Sequence, residues 1–118
     1  MILTLPFPPS VNAMYLNMRG KGRVKSPEYR DWLLEAGNVL MRQVVPPCFA
    51  SHHRITVRID LDDRRQGDCD NRAKAVMDLL VASRVIPGDS KKHVKSVMAS
   101  WEHVDGCRVK ITRVKRAA

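Results

Sequence analysis

Residues 54–62 alternate cleanly between apolar and polar side chains. The apolar positions are Ile55, Val57, Ile59 and Leu61. Alternation with a period of two predicts a strand that buries one face. A polar turn at 63–67 follows, and apolar residues between about 70 and 83 then recur at helical spacing. A strand that leads through a turn into an amphipathic helix predicts a sheet on which that helix packs.

A first helix is predicted from residue 26 onward. Ser26 suits the N-cap, Pro27 the first helical position and Glu28 the first turn. The apolar residues that follow at helical spacing are Trp32, Leu33, Ala36, Val39 and Leu40. Pro46 and Pro47 end the predicted helix, because proline cannot continue one.

Three further strands complete a predicted order of β-α-β-α-β-β. They cover about residues 1–5, 94–103 and 108–114. Asp105-Gly106, between the last two, is a hairpin signal. The chain has 118 residues and no internal repeat, so residues 1–118 are predicted to form one α+β domain with both helices packed on a mixed sheet.

A pattern of acids and one lysine marks the predicted start of the second helix. Asp68 and Asp70 lie two residues apart, and Lys74 and Asp78 follow Asp70 at i+4 and i+8, on one face of a helix. One interpretation is that the two acids cap the helix next to the positive end of its dipole. That interpretation leaves Lys74 unexplained, because the dipole disfavours a cation near a helix start.

A second interpretation of the same acids is a magnesium site. Mg²⁺ prefers oxygen ligands and takes one or two carboxylates together with substrate phosphate oxygens. Asp68, Asp70 and the more distant Asp89 could converge on one or two ions. Lys74 could then stabilise the charge that builds up on a scissile phosphate. We favour this electrostatic role over a role as base, because nearby carboxylates raise the pKa of a lysine.

The charge balance indicates a polyanionic partner. The chain has 21 Lys plus Arg against 12 Asp plus Glu, a formal net charge of +9, which favours nucleic acid. A mobile basic loop is predicted at about 17–25. The candidate phosphate contacts are Arg19, Lys21, Arg23, Lys25, Lys91 and Lys92. There is no apolar run of membrane-spanning length and no signal-peptide pattern, so a cytoplasmic protein is expected.

Three stretches together resemble the RusA family of phage-type Holliday-junction resolvases. The first is residues 5–12, Leu-Pro-Phe-Pro-Pro-Ser-Val-Asn, with Tyr15 after them. The second is Asp68-Cys69-Asp70-Asn71 with Lys74 and Asp78, and the third is Val85-Ile86 followed by Asp89. The order of the predicted elements also fits, so the resemblance covers nearly the whole chain.

The resemblance implies a homodimeric, magnesium-dependent endonuclease that makes two symmetric nicks in a four-way DNA junction. Mn²⁺ is expected to substitute for Mg²⁺. By motif position, Asp68, Asp70 and Asp89 match the family's catalytic and metal-binding acids, and Lys74 matches its catalytic lysine. Asp78 matches a further acid without an assigned role. Such a protein acts in DNA recombination and repair.

The chain departs from the family pattern at two positions. Cys69 stands where an aliphatic residue is usual, which is a mild change. Gly88 precedes Asp89 where a second Asp is common, so the third acid has no neighbouring carboxylate.

Three other interpretations remain open. Asp89-Ser90-Lys91 has the Asp-x-Lys pattern of restriction-type nucleases, which would make Lys91 the working lysine. A non-catalytic binder of branched DNA would keep the charge and the dimer and use the acids only as helix caps. A basic structural or ribosome-associated protein is the most distant interpretation.

Overall fold

The computed structural model describes residues 1–43 and 53–114. Within these residues, six strands and two α-helices follow one another as β1 (Ile2–Leu5), β2 (Tyr15–Met18), β3 (Gly22–Lys25), α1 (Pro27–Met41), β4 (Ile55–Asp62), α2 (Ala73–Ala82), β5 (Val94–Glu102) and β6 (Cys107–Arg113). Short 3₁₀-helices precede β2 at Val11–Ala13 and α2 at Cys69–Arg72. No described helix is long and apolar enough to cross a membrane.

Four strands form one mixed sheet in the order β1-β6-β4-β5. β6 is antiparallel to both β1 and β4, whereas β5 runs parallel to β4. Parallel neighbours need a crossover connection, and α2 lies within it. The α+β class, the mixed sheet and the two helices are therefore confirmed.

The core lies on one face of this sheet. Ile55, Val57, Ile59 and Leu61 of β4 are each no more than 1% exposed, as the period-two pattern predicted. The buried helical residues that belong to the same core are Tyr29, Trp32, Ala36 and Leu40 of α1 and Ala75, Val76, Met77, Leu79 and Leu80 of α2. The strongest sequence pattern thus forms the centre of the fold.

The start of α1 is as predicted, and its end is earlier. The Ser26 side chain accepts a hydrogen bond from the Tyr29 backbone N–H at 3.1 Å, and Pro27 is the first helical residue. The helix ends at Met41. The predicted stop at Pro46 and Pro47 lies outside the described residues.

The hairpin prediction at Asp105-Gly106 is wrong. β5 and β6 are not neighbours, because β4 lies between them. The turn carries the chain across the end of β4, where the Asp62 backbone N–H donates to the Gly106 carbonyl at 3.0 Å. Gly106 has a positive φ of 63°, and a Cβ there would lie 2.8 Å from the Leu5 carbonyl oxygen. A glycine with positive φ therefore makes this tight turn as it would in a hairpin, although the two strands that the turn connects are not neighbours in the sheet.

Most of the basic segment 17–25 forms a two-stranded hairpin, which the predicted element order lacked. β2 and β3 pair antiparallel, from Tyr15 opposite Lys25 to Met18 opposite Gly22. Gly20 and Gly22 have positive φ values of 79° and 71°, which allow the tight turn between the strands. The glycines that indicated a loop are therefore the turn of a hairpin.

Candidate active site

The acidic segment, Asp68-Cys69-Asp70, follows the C-terminal end of β4 in sequence. Asp68 and Asp70 are exposed, and Cys69 between them points its Sγ toward the Ala99 carbonyl of β5 at 3.5 Å. The Cys69 contact places the segment against β5, which runs parallel to β4 at the edge of the sheet.

Helix capping does not account for Asp68 or Asp70. Asp68 is the N-cap of the 3₁₀-helix, but its side chain accepts no capping hydrogen bond. Asp70 lies within that 3₁₀-helix, and the residue that precedes α2 is Arg72. The second helix was predicted to begin at about Asp70, whereas α2 begins at Ala73. Both carboxylates therefore face solvent without the structural task that the capping interpretation gave them.

Lys74 lies between Asp89, a predicted metal ligand, and Asp78, to which the motif assigned no role. Its Nζ is 3.0 Å from Oδ1 of Asp78 and 4.0 Å from Oδ2 of Asp89. Asp78, and then Asp89 more weakly, raise the pKa of Lys74 above its usual value, while partial burial opposes the rise. Lys74 is therefore protonated at neutral pH, which suits a cation that stabilises negative charge and not a base.

Asp78 connects Lys74 to a pair of tyrosines. Tyr29 is 2% exposed and packs edge-to-face on Tyr15, with ring centroids 5.7 Å apart. Burial and the negative charge of Asp78 raise the pKa of Tyr29 to about 12. Asp78, which the sequence left without a role, thus holds Lys74 in position next to the base of the β2–β3 hairpin.

The donor chemistry of the three predicted metal ligands suits magnesium, because all three are carboxylates. Their grouping is looser than that of a preformed site. Among residues 1–43 and 53–114, no three His, Cys, Asp or Glu side chains are close enough together to hold a metal ion. Lys74 brings Asp89 toward α2. The set Asp68, Asp70 and Asp89 therefore stays a prediction.

The proline-rich N-terminal stretch holds the acidic segment in place. Arg72 Nη1 donates to the Pro8 carbonyl at 3.0 Å, and the Arg72 guanidinium carbon lies 5.0 Å from the centroid of the Phe7 ring. Phe7 in turn stacks on Trp101 of β5, with centroids 6.2 Å apart. Gly67 has a φ of 117°, and a Cβ there would lie 3.1 Å from Arg72 Nη2. Two separate sequence motifs thus form one structural unit through Arg72.

The comparison with known protein families agrees with this geometry. The model for the family described as endodeoxyribonuclease RusA matches residues 6–112, which include the proline-rich stretch, the acidic segment and Asp89.

The chain belongs to the RusA family.

Curated relatives give the same result. Crossover junction endodeoxyribonucleases RusA from Escherichia coli K12 and from Escherichia coli CFT073 are each 32% identical to the chain over 80 residues. The aligned part is 66% of this chain and 64% of each relative. The chain thus spans a little under two thirds of the length of these relatives. The resemblance to the RusA family that the motifs indicated is confirmed.

Gly88, where the chain departs most from the RusA motif, lies close to the side chain of His93. A Cβ at Gly88 would lie 3.0 Å from Cδ2 of His93. The imidazole of His93 thus occupies the space in which a second acid before Asp89 would begin. Sequence reasoning gave His93 no role, and no spacing rule connects it with Gly88.

A cavity of about 310 Å³ lies next to the acidic segment of this RusA-family chain. Phe7, Trp32, Arg65 and Arg72 are among the side chains that line it. Sequence reasoning missed both arginines, because an isolated arginine has no motif and only the fold brings each to within about 5 Å of the Phe7 centroid.

Two further acids that sequence reasoning did not single out are buried at the end of β4. Asp60 is 4% exposed and Asp62 is 3% exposed. Asp60 accepts hydrogen bonds from Arg58 at 3.0 Å and from Arg108 at 2.8 and 3.0 Å. Asp62 accepts from Arg64 at 2.8 and 2.9 Å, and Arg64 also reaches Asp105. The Asp60–Arg108 pair follows from strand register, which no local pattern reveals, whereas Arg58 and Arg64 each lie two residues from the acid that they contact.

The predicted DNA-contacting residues fall into two groups. The turn and strands of the β2–β3 hairpin carry Arg19, Lys21, Arg23 and Lys25. Lys91 and Lys92 are exposed in the connection between α2 and β5, just after Asp89. The guanidinium carbon of Arg23 lies 4.1 Å from the centroid of the Tyr15 ring.

Proposed function

We propose that this RusA-family protein is a metal-dependent endonuclease that resolves four-way DNA junctions by paired symmetric nicks, in recombination and repair. The observation that carries the proposal is the position of Lys74. It is a protonated lysine held between Asp78 and Asp89, beside exposed acids, in a chain with a net charge of +9. The names of the curated relatives support the same activity.

In the proposed site, Asp68, Asp70 and Asp89 would hold Mg²⁺ or Mn²⁺. When bound, such an ion would polarise the scissile phosphate and lower the pKa of an attacking water. Lys74 approaches the non-bridging phosphate oxygens and stabilises the charge that develops on them. Asp78 fixes the direction of the Lys74 side chain through the 3.0 Å ion pair.

We propose that the protein works as a homodimer. A two-fold dimer presents two equivalent sites to a junction that is itself nearly two-fold symmetric. The proposed phosphate contacts are Arg19, Lys21, Arg23, Lys25, Lys91 and Lys92. Contacts to phosphate position the DNA without reading its sequence.

The first test is cleavage of a synthetic four-way junction, beside a linear duplex and a single strand, with magnesium and with EDTA. We expect symmetric, magnesium-dependent nicks in the junction alone, and their loss in Asp70→Asn. Asp63→Asn is the matched control, because Asp63 is another exposed acid of the same connection. Tight junction binding without cleavage in magnesium or manganese would contradict the proposal and favour a non-catalytic binder.

A second test separates the two candidate lysines. The 4.0 Å approach of Asp89 to Lys74 favours Lys74 over Lys91. We expect Lys74→Ala to abolish cleavage with junction binding intact, and Lys91→Ala to weaken binding only modestly. Loss of cleavage in Lys91→Ala alone would show that the restriction-type arrangement of Asp89 and Lys91 is the correct one.

A further inference from the structure

The β2–β3 hairpin has an apolar face that the core does not cover. Leu16 and Met18 of β2 are 48% and 46% exposed. In the antiparallel register, Leu16 lies opposite Val24 and Met18 opposite Gly22. Directly paired residues share one face of a hairpin, so Leu16, Met18 and Val24 form a continuous apolar surface. We call these three residues the hairpin face.

Cations surround the hairpin face. It opens into a groove of about 430 Å³ whose other lining residues include Lys21, Lys25 and Arg30. Among residues 1–43 and 53–114, no acid lines this groove. Arg23 lies on the opposite side of the hairpin, over the Tyr15 ring. The surface therefore combines three apolar side chains with three cations in one groove, and a fourth cation lies on the other face of the hairpin.

This charge pattern decides what the face can bind. In an isologous dimer the same patch of both copies meets, which would bring three cations of one groove against the same three of the other. Like charges across an interface disfavour association. Nucleic acid offers the complementary combination, with phosphates for the cations and apolar base faces for the side chains.

The hairpin is fixed next to the candidate active site. Tyr15, at its base, packs on Tyr29. The Ser26 backbone N–H donates to the Met14 carbonyl at 2.9 Å, and the Ser26 Oγ donates to the Ala13 carbonyl. Both ends of the hairpin are therefore tied to the start of α1, and the charge of Asp78, the partner of Lys74, acts on Tyr29 of that helix.

We propose that Leu16 and Met18 contact unstacked nucleobases at the crossover of a four-way junction, while Lys21, Lys25 and Arg30 bind the flanking phosphates. The inference rests on the proposed function and adds the element that opens the junction centre. Apolar side chains of this kind insert between base steps in DNA-bending proteins and partly unstack them.

Three aromatic residues in the described part of the chain are less suited to this task. Tyr29 is buried, Tyr15 lies between Tyr29 and Arg23, and Phe7 stacks on Trp101. Each has packing partners that insertion into DNA would remove.

The test uses a junction with 2-aminopurine at the crossover, whose fluorescence rises when the base unstacks. Wild-type protein is expected to raise the fluorescence in the presence of calcium or EDTA, where cleavage is blocked. Leu16→Ser/Met18→Ser is expected to reduce that rise at least about threefold and to slow cleavage in magnesium about tenfold or more. Its dissociation constant for the junction should stay within about threefold of wild type, because phosphate contacts dominate affinity.

The matched control is Ile2→Ser/Met98→Ser. Ile2 and Met98 are 61% and 60% exposed on strands β1 and β5 and lie on the outer face of the sheet. This variant should behave like wild type. A further variant, Lys21→Ala/Lys25→Ala, should bind more weakly with a smaller salt dependence and keep the full fluorescence change once bound. A junction with two unpaired bases at the crossover should restore cleavage by Leu16→Ser/Met18→Ser.

The outcomes separate this inference from the proposed function. A wild-type protein that neither binds nor cleaves junctions overturns both. A wild-type protein that cleaves, together with a Leu16→Ser/Met18→Ser variant of normal fluorescence and rate, overturns this inference alone. A change in the sedimentation of that variant would show that the face binds a second copy, and equal losses in Ile2→Ser/Met98→Ser would show that the face has no special role. Both results overturn the inference.

Discussion

Two sets of aspartates lie within ten residues of each other and have opposite environments. Asp60 and Asp62, on β4, are buried and saturated by arginine hydrogen bonds. Asp68 and Asp70, in the next connection, are exposed. A buried carboxylate persists only if its lone pairs are satisfied, so it has little capacity left for a ligand. The same residue type therefore serves the fold on the strand and is free for chemistry in the connection.

The sharpest test of this contrast removes each pair in turn. We expect Asp68→Asn/Asp70→Asn to reduce junction cleavage about a hundredfold to a thousandfold, because it removes two of the three proposed metal ligands and with them the charge stabilisation that a bound ion would give. Its melting temperature should stay close to that of wild type. Asp60→Asn/Asp62→Asn should instead unfold at clearly lower temperature. Junction cleavage assays and thermal melts of the wild type and the two double variants measure this, and equal destabilisation by both pairs would remove the distinction.

The single substitution Asp60→Asn should lower the free energy of unfolding by about 2 kcal/mol, or about a thirtyfold shift in the folding equilibrium. The amide would turn an NH₂ group toward Arg58 or Arg108, which both donate to the present carboxylate. The two arginines are about half exposed, which keeps the cost below that of a fully buried pair. Urea unfolding measures the change, with Asp63→Asn as the control, and a loss no larger than in that control would contradict the prediction.

Asp78→Asn tests an acid of intermediate exposure. It should slow cleavage about tenfold, less than Lys74→Ala, because Lys74 keeps its charge but loses the partner 3.0 Å from its Nζ. Single-turnover cleavage rates at saturating protein measure this effect. Asp78→Glu should recover part of the rate. A rate for Asp78→Asn as low as that of Lys74→Ala would indicate that Asp78 acts directly on the substrate.

The pH dependence of stability should report the buried acids and not the exposed ones. Hydrogen bonds from the Arg64 side chain hold the pKa of Asp62 well below its usual value. Burial opposes this lowering of the pKa, and hydrogen bonds from the backbone N–H groups of Arg64 and Gly106 add to it. A carboxyl whose pKa is lower in the folded state stabilises the fold above its unfolded pKa of about 4, and this contribution is lost as the pH falls below that value. Thermal melts between about pH 6 and pH 2.5 should fall more steeply for wild type than for Asp62→Asn. Parallel curves would contradict the prediction.

The smallest effect is expected at Asp105. Its side chain is 95% exposed, although Arg64 bridges it to the buried Asp62. Exposed ion pairs contribute little, so Asp105→Asn should change the melting temperature by less than about 2 °C. A shift comparable to that of Asp60→Asn would mean that the arginine bridge, and not burial, decides how much each acid stabilises the fold.

The sequence predicted those parts of the fold that local periodicity determines. The inward face of β4, the Ser26 cap and the Lys74–Asp78 pair follow from spacings of two, three and four residues along one element. The burial of Asp60 could not be predicted in this way, because its partner Arg108 lies 48 residues further along the chain. The wrong hairpin at Asp105-Gly106 has a related cause, since a tight glycine turn serves a crossing between distant strands as well as one between neighbours.

The candidate site was predictable in part for the same reason. The acids and Lys74 form a local motif, whereas Arg72 acquires its role only through Phe7 and Pro8, more than 60 residues earlier. The hairpin face was not predicted, because Gly20 and Gly22 led us to interpret the basic segment as a loop. Leu16, Met18 and Val24 alternate with polar residues in the same stretch and were the available signal.

The strand order has a consequence for how the chain folds during its synthesis on the ribosome. β6 pairs with both β1 and β4, and the Met1 amine donates to the Ile111 carbonyl at 3.0 Å. During synthesis, β1 and β4 therefore emerge long before the strand that joins them. A nascent chain that stops before residue 107 presents two unpaired strand edges, which are templates for aggregation. The acidic segment that follows β4 therefore belongs to a sheet whose central pairings form only after residues 107–113 have been synthesised.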